Sequence, residues 1–153
     1  MEINKVNNLL ELFYNQYLIQ DKTSVFLQSL KEVEKKYSWE DVYSNVIKFS
    51  EEISKYIKKG DRCLLISENR PEWMISDLSI MLSGGITVPA YTTYTERDYE
   101  YIIDDCTPTV LIISDKTQYL KVKNIILKKK FIKKIIFFDV IEEFDQELHI
   151  SIN

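Results

Sequence analysis

The chain has 153 residues, 45% of them hydrophobic and 29% charged, with a formal net charge of −4. That length suits one domain able to bury a sizeable core, and the balance excludes a basic field that would gather nucleic acid. No apolar run approaches the ~20 residues needed to cross a bilayer, and the start MEINKVNNLLELF lacks the plan of a secretory leader.

The first element in chain order is an amphipathic helix over Asn8 to Ile19. It places Leu9, Leu12, Phe13 and Gln16-Tyr17 on adjacent turns, with Glu11 and Asn15 outside. Asp21-Lys22 breaks it, Thr23 to Leu30 reads as a strand, Lys31 to Lys36 as a charged turn, and Tyr37 as a short pairing strand. Ser38 and Asp41 form a capping-box pair that opens the next helix. Its stripe is Val42, Val46, Phe49, Ile53 and Ile57, and Lys58-Lys59-Gly60 is expected to close it. Glu51, Glu52, Asn45 and Ser54 fill the other face. That face carries no row of lysines, so the stripe reads as core rather than as a membrane-lying face.

Cys63 to Ile66 is a short apolar run that reads as a buried strand. Pro71 then suits the first position of a helix, where its missing N–H costs nothing. Met74, Leu78, Met81 and Leu82 predict one apolar stripe, and Gly84-Gly85 stops the helix. Ile86 to Ala90 reads as a second strand, so strand, helix and strand imply a right-handed crossover in a parallel sheet. Thr95 and Asp98 look like a second cap, opening a helix with Tyr99, Ile102, Ile103 and Cys106 inward and ending at Thr107-Pro108. Thr109 to Ile113 is a continuous apolar strand. Ser114-Asp115 caps a helix with Tyr119, Val122, Ile125 and Ile126 inward, and Phe131 to Phe138 is the last strand, broken by Lys133-Lys134, its buried part Ile135 to Phe138.

The order after Gly60 is thus βαβαβαβ. It predicts an α/β fold, a partial doubly wound, Rossmann-like three-layer domain with a parallel sheet. Residues 1–59 supply N-terminal helices and short strands, 60–139 the half-sheet, and 140–153 an acidic tail without pattern.

GDR, SENRPEW, DL, GG, TVPAY and TTYT, in this order between Gly60 and Thr95, resemble the AMP-forming acyl-CoA synthetases, and most of all their long-chain fatty-acid–CoA ligase branch. The similarity runs from Leu9 to Asp139. It implies the N-terminal portion of the large domain of an enzyme that joins a fatty acid to CoA. The reaction runs through an acyl-adenylate made from ATP with Mg²⁺, and AMP and pyrophosphate are released. The intact enzyme would use fatty acid, ATP and CoA and could lie peripherally on a membrane. The family's Ser/Thr/Gly-rich phosphate loop, its adenine and ribose residues, its magnesium-holding glutamate and its adenylation lysine fall downstream of a segment like this one. The resemblance therefore carries over scaffold motifs and no catalytic residue, metal ligand or cofactor-binding residue.

The residues agree with that reading. Only Gly60, Gly84 and Gly85 occur, so neither a GxGxxG fingerprint nor a Walker loop is present. The one histidine, His149, lies in the tail, so a Ser-His-Asp or Cys-His site is not credible. Asp104-Asp105 point apart on a helix and read as solvated. The Lys128–Lys134 cluster reads as a solvated rim. Cys63 and Cys106 lack a paired spacing and read as free thiols of a reducing compartment, which points to the cytoplasm.

In open parallel sheets ligands gather beyond the carboxyl ends of the strands. Three segments fall there, Ser67-Glu68-Asn69-Arg70, Tyr91-Thr92-Thr93-Tyr94 and Ser114-Asp115. Asn69, Arg70, Tyr91, Thr92, Thr93 and Tyr94 are the substrate-proximal candidates. The alternative is structural: Glu68 to Arg70 cap the next helix and pair charges locally, and the tyrosine rings pack on the sheet edge. Trp73 likewise reads as a packing anchor. Three functions are weighed: the N-terminal segment of a long-chain ligase, inactive by itself; an interaction module or split subunit that completes its sheet with the remaining polypeptide; and a small independent nucleotide-binding enzyme. The missing phosphate loop makes the third the weakest.

Overall fold

The computed structural model describes residues 6–29 and 35–140. A helix, a hairpin and a second helix lead into a four-stranded sheet with helical crossovers. The elements are α1 (Leu9–Ile19), β1 (Val25–Ser29), β2 (Lys35–Ser38), α2 (Trp39–Ser54), β3 (Arg62–Ile66), α3 (Pro71–Leu82), β4 (Ile86–Ala90), α4 (Glu96–Cys106), β5 (Val110–Ile113), α5 (Lys116–Ile126) and β6 (Lys134–Phe137). The main sheet has the order β4-β3-β5-β6, with every neighbouring pair parallel. β1 and β2 pair antiparallel, with Leu27 opposite Tyr37.

Alternation along the strands splits the core in two. Cys63, Leu65, Val110, Ile112 and Ile136 join a cluster with residues of α2 and α3, while Leu64, Ile66, Leu111, Ile113 and Phe137 join another with α4 and α5. The sheet is the middle of three layers, and its central strands are apolar on both faces for that reason. The expected stripe of α2 is buried in full, including Ile57 beyond its end. Both expected capping boxes form, at Ser38–Asp41 and at Thr95–Asp98. The start of α1 is capped by the Asn8 side chain, but within that helix only Phe13 is buried.

Four local expectations are corrected. First, α2 ends at Ser54, not at Lys58 to Gly60. The Lys58 N–H donates to the Asp61 carboxylate and Gly60 takes φ +86, so this segment is a turn that swings Ile57 into the core.

Second, α3 is not a one-stripe helix. Leu82 is exposed, whereas Ile75, Ser76, Ser79 and Ile80 are fully buried. This helix is covered by the sheet on one side and by α2 on another. Its small serines admit the close approach: Ser79 Oγ lies 3.1 Å from Val46 O, and Ser83 Oγ donates to Ser50 O at 2.9 Å.

Third, the charged stretch before Tyr37 is strand at Lys35 and Lys36, while Lys31 to Glu34 fall outside the described residues. Fourth, β6 begins at Lys134, because the turn after α5 runs on to Phe131 and Ile132-Lys133 are irregular. Lys134 is itself buried, its ammonium 5.2 Å from the centre of the Tyr56 ring, so it does not belong to a solvated rim. Of the expected tail, only Val140 is described; His149 lies outside the described residues.

Candidate functional site

β3 and β5 are neighbours whose connections leave in opposite directions, β3 to β4 through α3 and β5 to β6 through α5. The carboxyl ends of β3 and β5 are therefore the topological switch point, where such sheets open a crevice. Ser67 and Ser114 stand there. The Ser114 N–H donates to Ile66 O at 2.9 Å, and the Ser114 side chain is fully buried with no hydrogen-bond partner for its hydroxyl.

Arg70 follows at the foot of α3. Its Nε donates to Glu72 Oε2 at 2.9 Å, its Nη2 donates to Asp139 Oδ1 at 3.0 Å, and its guanidinium lies 5.3 Å from the centre of the Phe138 ring. Tyr37 Oη donates to Glu72 Oε1 at 3.0 Å, so one charge network joins β2, the start of α3 and the chain beyond β6. Burial would neutralise both members, but the pairing wins. Arg70 is raised further above the usual guanidinium range by the Glu72 and Asp139 carboxylates, and Glu72 is held below the usual carboxylate range by Arg70. Asn69 beside them is exposed.

The segment Tyr91 to Tyr94 is a turn closed by the Tyr94 N–H donating to Tyr91 O at 3.2 Å. Two side chains brace it from α4 and α5. Tyr99 Oη donates to Tyr91 O at 2.8 Å, and Lys121 Nζ donates to Thr92 O. The Tyr94 ring meets Tyr91 edge-on at 5.5 Å and Tyr99 at 5.9 Å. Burial pushes the Tyr99 phenol up to about 12, so it stays a neutral donor. Tyr91 is 72% exposed. Beside the turn, an open groove of about 570 Å³ is lined by Tyr94, Arg97, Asp98, Tyr101 and Ile102. A smaller apolar groove of about 280 Å³ lies between α1 and α2, against Phe13, Tyr14, Tyr43 and Leu82.

The sequence candidates thus fall into two groups. Arg70 packs with Phe138 and Glu72 on the α2–α3 side, while Tyr94 packs with Tyr99 on the α4–α5 side. Arg70 and Tyr94 thus pack towards opposite faces of the sheet. Trp73 packs partly buried against the α2–α3 core. Asp104 pairs with Lys129. Both cysteines are free thiols, and burial pushes Cys63 up to about 12, which makes it inert as a nucleophile at neutral pH. Tyr37, Glu72, Tyr99, Lys121 and Asp139 escaped the sequence reading as members of these networks. Tyr99 carried the signal of a tyrosine on a buried stripe, whose hydroxyl needs a partner. Lys121 carried none. Among the described residues no group of three or more His, Cys, Asp or Glu converges as metal ligands would, and no helix is long and apolar enough to cross a membrane.

A parallel sheet of this order, with helices on both faces and its loops gathered at a switch point, defines an open, doubly wound α/β type of architecture. The chain belongs to the AMP-binding enzyme family, whose profile matches residues 19–150. It is similar to a long-chain-fatty-acid–CoA ligase of Bacillus subtilis, 29% identical over 96 residues, which are 62% of this chain and 16% of the relative. It is also similar to the long-chain-fatty-acid–CoA ligase FadD15 of Mycobacterium tuberculosis, 36% identical over 59 residues, 39% of this chain and 10% of the relative. Among solved structures, coronafacic acid ligase from Pectobacterium brasiliense superposes with a TM-score of 0.81 at 18% identity, over 95% of this chain and 28% of that one. The fold is that of the N-terminal part of adenylate-forming CoA ligases, and the chain spans a small share of the relatives it matches.

Proposed function

We propose that the chain is the N-terminal framework of a long-chain fatty-acid–CoA ligase. The whole reaction would convert fatty acid, ATP and CoA to acyl-CoA, AMP and pyrophosphate through an acyl-adenylate. The observation that carries this reading is the family match along residues 19–150, together with relatives named as long-chain ligases. Chain-length preference rests on those relatives alone.

The residues present do not fit a magnesium triphosphate. The one arginine at the carboxyl end of β3 already serves two carboxylates, and the adjoining loops contribute Glu68 and Asp115 rather than glycine N–H groups. No step through the nucleotide is assigned to them. Arg70 ties the start of α3 to the chain beyond β6, while Tyr99 and Lys121 brace the turn at Tyr91 to Tyr94 as one wall of a site finished by further polypeptide.

The test is pyrophosphate release by the purified 153-residue chain supplied with palmitate, ATP, Mg²⁺ and CoA. The expected outcome is no turnover above a blank. Turnover would place the whole active site within this chain and overturn the framework reading.

A further inference from the structure

β4 is the outermost strand on its side of the sheet, and it is open to solvent: Pro89 is exposed and Ile86 is 51% exposed. It runs in unbroken register beside β3, Arg62 with Ile86 through Ile66 with Ala90, so no bulge bends it away. Its sequence, Ile86-Thr87-Val88-Pro89-Ala90, carries no charge. Lysines, bulges and covering elements are the usual devices that blunt a free edge, and among the described residues this strand has none of them. One device is left.

Backbone direction fixes what Pro89 does. Gly84 O accepts from the Gly60 N–H, and the Ile86 N–H donates to Asp61 O, each at 2.8 Å. Backbone groups alternate along a strand, so residues 84, 86, 88 and 90 turn towards β3 while 87 and 89 turn outward. Pro89 therefore sits where its missing N–H takes nothing from the ladder with β3, and removes one of the two outward donors of β4.

We propose that Pro89 closes the outer edge of β4 to strand addition, and that the partner it keeps off is a second copy of this chain. An uncharged, β-branched edge is complementary to itself. Two copies running antiparallel about Val88 would set residue 87 of each against residue 89 of the other, so a donor missing at 89 is missing twice in the pair.

Pro89→Val in the full 153-residue chain restores that donor without touching the bonds to β3. Its self-association constant, measured by sedimentation across a concentration series, is expected to rise roughly tenfold or more, as two backbone hydrogen bonds of ordinary net worth would give. Pro89→Val/Thr87→Pro removes the other outward donor and is expected to return the constant to the starting value. A folded Pro89→Val chain that associates no more than the parent overturns the proposal, as does association that survives the second substitution. Amide exchange on the unsubstituted chain tests the geometry independently of how any variant folds. Val88 and Ala90 are expected to exchange slowly and Thr87 fast, and the reverse order overturns it.

Discussion

Gly85 shows how much one missing carbon decides. A Cβ built there would stand 2.9 Å from Ile57 Cδ1 and 3.0 Å from Ile80 Cγ2. The turn that ends α3 and the turn that ends α2 thus meet at a point where only hydrogen fits. Gly84 beside it is needed for another reason, its φ of +80. Gly85→Ala is expected to cost about 1–3 kcal/mol through overpacking, measured by urea unfolding. Adding Ile57→Val removes the nearer methyl and is expected to recover part of that loss, so the two changes will not add. Full additivity would show that Ile57 is not the obstacle. The sequence marked both glycines as a helix stop, and only packing separates the one needed for its φ from the one needed for its size.

At the level of elements, the two capping boxes are the most local structures in the chain. Ser38 Oγ accepts from the Asp41 N–H at 3.1 Å while the Asp41 carboxylate accepts from the Ser38 N–H at 2.9 Å. Thr95 and Asp98 repeat the arrangement at the start of α4. Four residues suffice to make each, which is why both were legible. Ser38→Ala is expected to cost about 1 kcal/mol, and Thr95→Ala a similar amount, each read as a lower urea midpoint at unchanged m value. The helix ends were less legible than the starts. α2 stops before its basic cluster, because Asp61 binds the Lys58 N–H and Ile57 is drawn under Gly85, a contact made across 28 residues of sequence. α3 failed the one-stripe reading for a related reason. A helix covered from two sides buries residues all round, and its serines look polar in sequence while serving close packing.

Across the whole molecule, the Tyr37–Glu72–Arg70–Asp139 network ties the hairpin, α3 and the chain beyond β6 at one end of the sheet. Removing Arg70 leaves a buried carboxylate without its cation. Arg70→Met is therefore expected to lose about 3 kcal/mol at neutral pH. The pH dependence follows from the depressed Glu72. Its folded value lies below the unfolded 4.5, so the stability it contributes is complete above 4.5 and is lost as pH falls through the lower folded value. Urea unfolding from neutral pH down through this range is expected to show a shallower acid limb in Arg70→Met than in the parent. An unchanged limb would assign the acid sensitivity to the other depressed carboxylates, Asp41 and Asp98 at the caps and Glu11, Asp21, Glu52 and Asp61 elsewhere.

Sequence alone determined the order of strands and helices, their caps, the parallel three-layer plan and the family, because each of these is written in residues close together or in a period of two or 3.6. The order of strands and helices also marked which loops reach the carboxyl end of the sheet. Tertiary structure decided the rest. It turned Arg70 inward to two carboxylates, set it across the sheet from the Tyr91–Tyr94 turn, and braced that turn with Lys121 from a helix 29 residues away in sequence. Side chains choose partners by distance in space, and a sheet four strands wide brings together residues whose separation along the chain carries no trace of their meeting.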